Sequence, residues 1–400
     1  MLIHWIWYAT LPGLSLRQKH GVLEHFSDPE DIFHADRFDH LSGMTPDIAN
    51  ALKNKDLSKA KSVIKQCGEK HISILTLQDA AYPSRLRNTD DAPVVLYYKG
   101  VLPDLEGQPV ISVVGTRKAS AYGVKNAREM SRQIAVCGGL VVSGGAEGID
   151  AAALQGAMDA GTQVVAVLGF GADVVYPSKN RQLFARIEEN GCLLTEYVPG
   201  TGVKPWQFPE RNRIISALAN GVLVVEAPER SGALITARKA FEQGRDVYAV
   251  PGNIDIATCV GSNALLQDYA QAVMTGWDVL KNYAGLYPGV EKCAAELHSS
   301  SQLKVAQTPK LPALRTDTDK KDIDNPKDNA YSVLENNTKL TEQEKQILAC
   351  LDSTPRPVDD VIAQLGMPAG KLLSALTMMA LKGVVVNHPG RLVSAGKQIQ

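Results

Sequence analysis

The sequence predicts an α/β protein: a Rossmann-like, doubly wound, mostly parallel sheet, preceded by a small helical domain and followed by a winged-helix domain. Three observations carry this. Between about residues 108 and 285, short continuous apolar runs recur, such as Val164-Val-Ala-Val-Leu168, which is how parallel strands buried on both faces read. Stretches of helical period separate those runs. Leu140-Val-Val-Ser143 leads directly into Gly144-Gly145-Ala-Glu147-Gly148-Ile-Asp150, a strand joined to a helix through a loop crowded with glycine.

In chain order, residues 1–100 read as short helices, with Leu11-Pro12-Gly13-Leu14 before one amphipathic stretch and Leu41-Ser42-Gly43-Met44 before another. Such turns fit a helix-hairpin-helix or SAM-like module that offers backbone N–H groups to DNA phosphates, or equally two glycine turns of a small bundle. Residues 101–294 form the α/β domain. Its strands are expected at Val110–Gly115, Leu140–Ser143, Val164–Leu168, Cys192–Glu196, Val222–Glu226 and Val247–Val250. Helices fit between them at Tyr122–Val136, Ile149–Met158, Arg181–Glu189, Ala233–Gln243 and Asn263–Ala270. Residues 295–338, rich in Ser, Thr, Lys, Asp, Asn and Pro, read as a flexible linker.

In residues 339–400, Thr341 with Glu344 three positions on makes a capping box. Helical patterns follow at Val358–Leu365 and Ala369–Leu381, and the end from Gly383 to Ser394 is β-rich, giving the winged helix. Its last helix carries Lys371 as its base before Leu381, whereas readers of the major groove place several polar or basic side chains there. A protein-interaction or accessory role fits that helix at least as well as DNA reading.

Composition narrows the function classes. With 42 basic and 43 acidic residues the net charge is −1, so polyanion binding has to come from a local cluster rather than a global field. The six cysteines show neither a C-x-x-C pair nor metal-ligand spacing and read as reduced core residues, with no metal expected. The apolar run from Met1 to Leu11 lacks a basic leader and is too short to span a bilayer, so a cytoplasmic protein without a membrane segment is expected. No histidine lies between His71 and His298, which removes Ser-His and Cys-His nucleophile schemes from the α/β domain. There is no G-x-x-x-x-G-K-[ST] loop, and the glycine loop is not G-x-G-x-x-G; no catalytic residue and no cofactor are expected.

Ligands of an open parallel sheet bind outside the carboxyl ends of its strands. Here those ends are basic. The first reads Gly115-Thr-Arg117-Lys118, with Ser120 placed to cap the helix that carries Tyr122, and Arg117 able to face the crevice. The second brings Ser143, Gly144 and Gly145, where glycine lets the backbone approach an anion and the helix start supplies N–H groups. Glu147 and Asp150 would repel a pyrophosphate there unless they serve as caps. The third continues to Tyr176-Pro177-Ser-Lys179-Asn180, and the fourth to Phe208-Pro209-Glu-Arg211-Asn212-Arg213.

Pro209 fits the first position of a helix, which places Arg211 and Arg213 in or next to its first turn. Cations there cost about 0.3–1 kcal/mol each, offset either by a bound anion or by an internal partner such as Glu210 or Glu226. Phe208 and Tyr122 could stack a base or belong to the core.

These segments are similar to the DNA-processing protein A family, also called Smf, of bacterial transformation and recombination. The resemblance is carried by Val114-Gly-Thr-Arg117, Ser120-x-Tyr122-Gly123, Ser143-Gly-Gly-Ala-Glu-Gly-Ile-Asp150, Tyr176-Pro177 and Phe208-Pro-x-Arg211-Asn212-Arg213-Ile-Ile-Ser216. It continues through Glu226-Ala, Ser231-Gly232-x-Leu-x-Thr236-Ala237, Val250-Pro251-Gly252 and Gly261-Ser262-Asn263. It implies a protein that binds and protects single-stranded DNA, forms a homodimer through its Rossmann-like domain and helps load the RecA recombinase. By the same resemblance Arg117, Lys179, Arg211 and Arg213 line the DNA pocket.

Two rivals remain. Phosphoribohydrolases, which cleave nucleotide N-glycosidic bonds, resemble the same superfamily and carry P-G-G-x-G-T-x-x-E. The corresponding strand end here, Glu226-Ala-Pro-Glu229-Arg230-Ser231-Gly232-Ala-Leu-Ile-Thr236, lacks the double glycine and the final acid, leaving Glu229 as a conceivable acid or a structural residue. A transcription factor rests on the winged helix alone.

Overall fold

The computed structural model describes residues 1–38, 43–290 and most of 341–395. The chain divides into two units, Met1–Leu311 and Pro312–Gln400. The expected linker, and Leu41 and Ser42 of the second glycine turn, lie outside the described residues.

The first unit opens with α1 (Leu2–Thr10), α2 (Leu16–Leu23), α3 (Pro29–His34), α4 (Pro46–Leu52) and α5 (Ser58–Glu69). Local chemistry starts these short helices. Ser15 and Gln18 form a capping box for α2, while Asp28 before Pro29 and Thr45 before Pro46 cap α3 and α4. Helix α1 is apolar on nearly every side and is correspondingly enclosed: Ile6, Trp7 and Tyr8 share a core with Ile32, Leu52, Val63 and Cys67.

Lys19 on α2 is buried against α1, with Nζ donating to the Ala9 carbonyl. Burial pulls its ammonium down from 10.5 to about 8. Between those two values the unfolded chain holds a proton that the folded chain has lost, so this contribution to stability is full above about 10.5 and disappears as pH falls through about 8. Denaturant unfolding of the native chain and of Lys19→Met should therefore diverge with rising pH across that window, the native chain gaining relative to the variant.

The sheet starts earlier than the expected boundary at residue 100. Strands β1 (Ser73–Thr76) and β2 (Val95–Gly100) pair antiparallel around α6 (Ser84–Arg87), and β2 pairs antiparallel with β6 (Gly191–Thr195). The backbone of β2 thus finds its partners in the sheet, so residues 73–100 belong structurally with the α/β layers. The remaining strands are β3 (Val110–Val114), β4 (Leu140–Ser143), β5 (Val164–Leu168), β7 (Gly221–Val224), β8 (Asp246–Ala249) and β9 (Gln271–Ala272). Among the described residues the order is β1-β2-β6-β5-β4-β3-β7-β8-β9, with β6 through β9 joined by parallel pairings.

Strands β3, β4 and β5 are buried at every residue because helices cover both faces. Ile111 and Val113 face one core with α7 (Ala121–Val136), α8 (Ile149–Asp159), α9 (Arg181–Glu189) and α13 (Gly276–Leu280). Val110 and Val114 face the other with α10 (Gln207–Leu218), α11 (Gly232–Glu242) and α12 (Val260–Asp268). The two-residue period of a strand divides its apolar side chains between the layers.

Cys67, Cys192, Cys259 and Cys350 are free thiols, whereas Cys137, expected to be reduced, is disulfide-bonded. No helix among the described residues is long and apolar enough to cross a membrane.

The second unit has α14 (Glu342–Ala349), begun by the expected capping box of Thr341 and Glu344, and α15 (Val358–Leu365), which ends at Gly366 with φ +62°. Strands β10 (Arg356–Pro357), β11 (Val385–His388) and β12 (Leu392–Ala395) form an antiparallel sheet in the order β10-β12-β11. Ile347, Val361, Leu372, Met379 and Val393 make its core. The architecture is that of a winged helix; the helix expected at Ala369–Leu381 lies partly outside the described residues.

Candidate nucleic-acid interface

The chain order reverses at β3, since β4, β5 and β6 are laid down on one side of it and β7, β8 and β9 on the other. Such a switch point parts the loops at the carboxyl ends and opens a crevice. A pocket of about 530 Å³ lies there, lined by Gly115, Thr116, Arg117 and Lys118 after β3, Asp150 on α8, Tyr176 after β5, Phe208, Arg211 and Asn212 on α10, and Arg230, Ser231 and Gly232 before α11. A second cavity of about 120 Å³ adjoins it, between Gly144, Gly145, Phe170, Pro177 and the same Arg117, Tyr176 and Phe208.

Arg117 stands between the two. Its guanidinium lies over the Phe208 ring, 4.8 Å from the centroid, and the Tyr176 ring packs 5.9 Å from that of Phe208. The side chain is exposed, and among the described residues no carboxylate comes within ion-pair distance of it. Stacking on an aromatic face holds the planar group in place while leaving its N–H edge for a ligand. Thr116, Lys118, Tyr176, Arg230 and Ser231 join the pocket without having been singled out from sequence as contacts. Thr116 and Lys118 stand just beyond β3, the signal that marked Arg117, whereas Tyr176, Arg230 and Ser231 lie farther along the loops after β5 and β7.

The glycine loop is built as expected but is not an open anion cradle. Gly145 and Gly148 take φ of +66° and +80°. A Cβ on Gly144 would lie 2.6 Å from both Arg211 Nη2 and Asp150 Oδ2, so that carboxylate sits against the loop backbone. Ala146 N–H donates to Asp150 Oδ2 at 3.4 Å, and Ile149 N–H to the Thr116 carbonyl at 3.2 Å. Asp150 is buried, and burial pushes its carboxyl up, against the pull of Arg211, of the Ala146 and Gly144 N–H groups and of Arg117. It is not a helix cap, since α8 has Gly148 at its N-cap and no side-chain cap; its carboxylate instead braces the loop ahead of the helix. Ser143 and Asn180 brace the loop from below: Ser143 Oγ donates to the Val113 carbonyl at 2.6 Å and Asn180 Nδ2 to that of Gly145 at 3.0 Å, both from buried positions.

The Arg-Asn-Arg segment divides. Helix α10 begins at Gln207, two residues ahead of Pro209. Arg211 points into the crevice floor, 4 % exposed, donating from Nη1 to the carbonyls of Gly144 (2.6 Å) and Val167. Burial lowers its guanidinium to about 10, an effect opposed by Asp150 and reinforced by Arg117. Arg213 turns away altogether. Its Nη2 pairs with Glu196, its Nε lies 3.7 Å from Asp91 Oδ2, and its Nη1 donates to the Asp91 carbonyl at 2.7 Å. This corrects the expectation that both arginines face one anion, because residues two apart on a helix point to nearly opposite sides. The internal partners are Glu196 and Asp91, rather than Glu210 or Glu226.

Asn212 lines the pocket and donates from Nδ2 to the Gly232 carbonyl at 3.2 Å, tying α10 to the start of α11. Ser120 caps α7 as expected, accepting from Gly123 N–H at 3.0 Å, and donates to the buried Glu226. Tyr122 is half exposed with its hydroxyl on the Pro251 carbonyl, outside the residues lining either cavity. Lys179 is exposed and 3.8 Å from Glu147. Glu229, the acid considered for nucleotide chemistry, is exposed and lines neither cavity. Among the described residues no His, Cys, Asp and Glu side chains gather as they would around a metal ion.

Comparison with known proteins places the chain in a family. A family model described as DNA recombination-mediator protein A matches residues 73–284, and one described as DprA winged helix domain matches 335–391. A protein Smf of Synechocystis is 33% identical over 328 residues, covering 80% of this chain and 80% of that protein. The DNA processing protein DprA of Streptococcus pneumoniae is 42% identical over 213 residues, covering 52% of this chain and 73% of that protein. The X-ray structure of DprA from Streptococcus pneumoniae superimposes with a TM-score of 0.57 at 35% identity, over 70% of this chain and 98% of the other.

Proposed function

Because the chain belongs to the DNA recombination-mediator protein A family, known also as DprA or Smf, we propose that it binds and protects single-stranded DNA and promotes loading of RecA during transformation and homologous recombination. The observation that carries this most directly is Arg117, stacked on Phe208 between two cavities with no carboxylate partner among the described residues. A cation held on an aromatic ring at a strand-end crevice suits a backbone phosphate beside a stacked base, and every base has a π-face, so binding is tolerant of sequence. Arg117, Lys118 and Arg230 meet phosphates along the rim. Phe208 and Tyr176 offer the ring surface, Gly115, Gly144 and Gly145 keep the walls close, and Lys179 adds an outer charge. Ser120, Ser143, Asn180, Arg211 and Asn212 hold these groups in position.

The protein acts in the cytoplasm as a homodimer, a reading supported by apolar side chains left on the surface, among them Phe241 (60 % exposed), its ring 4.6 Å from that of Tyr269 at a tilt. Sedimentation equilibrium checks the oligomeric state. The DNA assignment is tested by comparing single- and double-stranded oligonucleotides on the whole chain and on one ending at Leu311. The shortened chain is expected to keep its single-strand affinity within about threefold, because the phosphate-binding side chains all lie before that point; loss of binding would move the interface to the winged helix.

A further inference from the structure

We propose that Asp150 makes this crevice selective for a nucleic-acid strand over free nucleotides and pyrophosphate, by setting the chain's own carboxylate against the glycine loop ahead of α8. The inference deepens the single-strand reading and rests on it. A glycine loop running into a helix of eleven residues ordinarily presents unpaired N–H groups to a phosphate. Here two of the loop's groups and the first of the helix are taken. The N–H groups of Gly144 and Ala146 are directed to Asp150, and that of Ile149 to the Thr116 carbonyl.

The surroundings reinforce the exclusion. The buried carboxylate lies against the Gly144 backbone beside Arg211, whose Nη1 is already bound to two carbonyls, so that arginine serves the protein's own anion. Glu147, on the same loop, sits at its outer edge with its charge balanced by Lys179 at 3.8 Å, so the exclusion falls to Asp150. A terminal phosphate of a nucleotide carries up to two charges and requires a dense set of donors; a phosphodiester carries one and is served by the rim cations Arg117 and Lys118. The strand is therefore accepted on the Arg117 side while the loop that would hold a nucleotide's end stays closed.

The test uses the full chain with a labelled oligothymidylate, dTMP and pyrophosphate. In the native protein neither small anion should displace the oligonucleotide at millimolar concentration, whereas Asp150→Asn, which removes the charge and keeps the shape, should bind both at least about tenfold more tightly. Equal displacement from native protein and variant, or no gain in the variant, overturns the proposal. If Asp150→Asn does not fold, Asp150→Ser is measured beside a pyrophosphate titration of the native chain followed by the amide resonances of Gly144 to Glu147. Resonances that stay in place support the proposal, and saturable shifts overturn it. Should the native chain fail to bind the oligonucleotide, the single-strand reading falls, and direct calorimetric titration of pyrophosphate into both proteins still decides the role of Asp150.

Discussion

Arg117→Ala is expected to weaken binding of single-stranded DNA by about tenfold or more, and to flatten the dependence of log affinity on log salt by about 0.7 for the phosphate contact removed. Fluorescence anisotropy over a salt series measures both. The side chain is exposed and stacks on one ring, so the fold should be untouched and the melting temperature should stay where it is. Arg117→Lys separates charge from shape: it preserves the slope but loses the planar face against Phe208, leaving an affinity between those of the native chain and the alanine variant. An unchanged slope in folded Arg117→Ala removes Arg117 from the interface.

Arg213→Ala should act in the opposite manner, on stability first. Arg213 is 8 % exposed and joins Glu196 at the end of β6 to the segment around Asp91. Burial raises the Glu196 carboxyl and Arg213 draws it back, so removing the arginine leaves an enclosed acid without its counter-ion. Breaking such a pair costs about 3–5 kcal/mol, read as a fall in the denaturant midpoint. Replacing both residues, Arg213→Met with Glu196→Leu, should recover much of the loss, since neither charge is then stranded. A loss below about 1 kcal/mol in Arg213→Ala would show the pair to be effectively solvated.

The contrast between these two arginines marks what the sequence could convey. Strands β4 and β5 and helix α9 fall on the expected residues because a parallel strand buried on both faces leaves an unbroken apolar run, and a helix between such runs has little room to shift. Strand β1 escaped because Ser73-Ile-Leu-Thr76 is four residues at an edge, too short to show a period, and β2 followed it. Arg117 was legible as a strand-end cation. Arg213 was not, since its membership of a motif says nothing about its direction; the helical angle between positions 211 and 213 carries that information. Asp150 was legible only as a choice between repulsion and capping; it does not cap the helix, bracing the loop backbone beside Gly144 instead.

The reversal of strand order at β3 also sets when the crevice can exist. Its walls come from Gly115 at one end and Gly232 at the other, with Arg211 reaching back to the Gly144 and Val167 carbonyls between them. A chain emerging from the ribosome past β6 has Arg117 but neither Phe208 to hold it nor β7 to cover the open edge of β3. On the proposed reading, strand affinity arrives late in synthesis, so that a chain ending before β7 is expected to be blind to DNA.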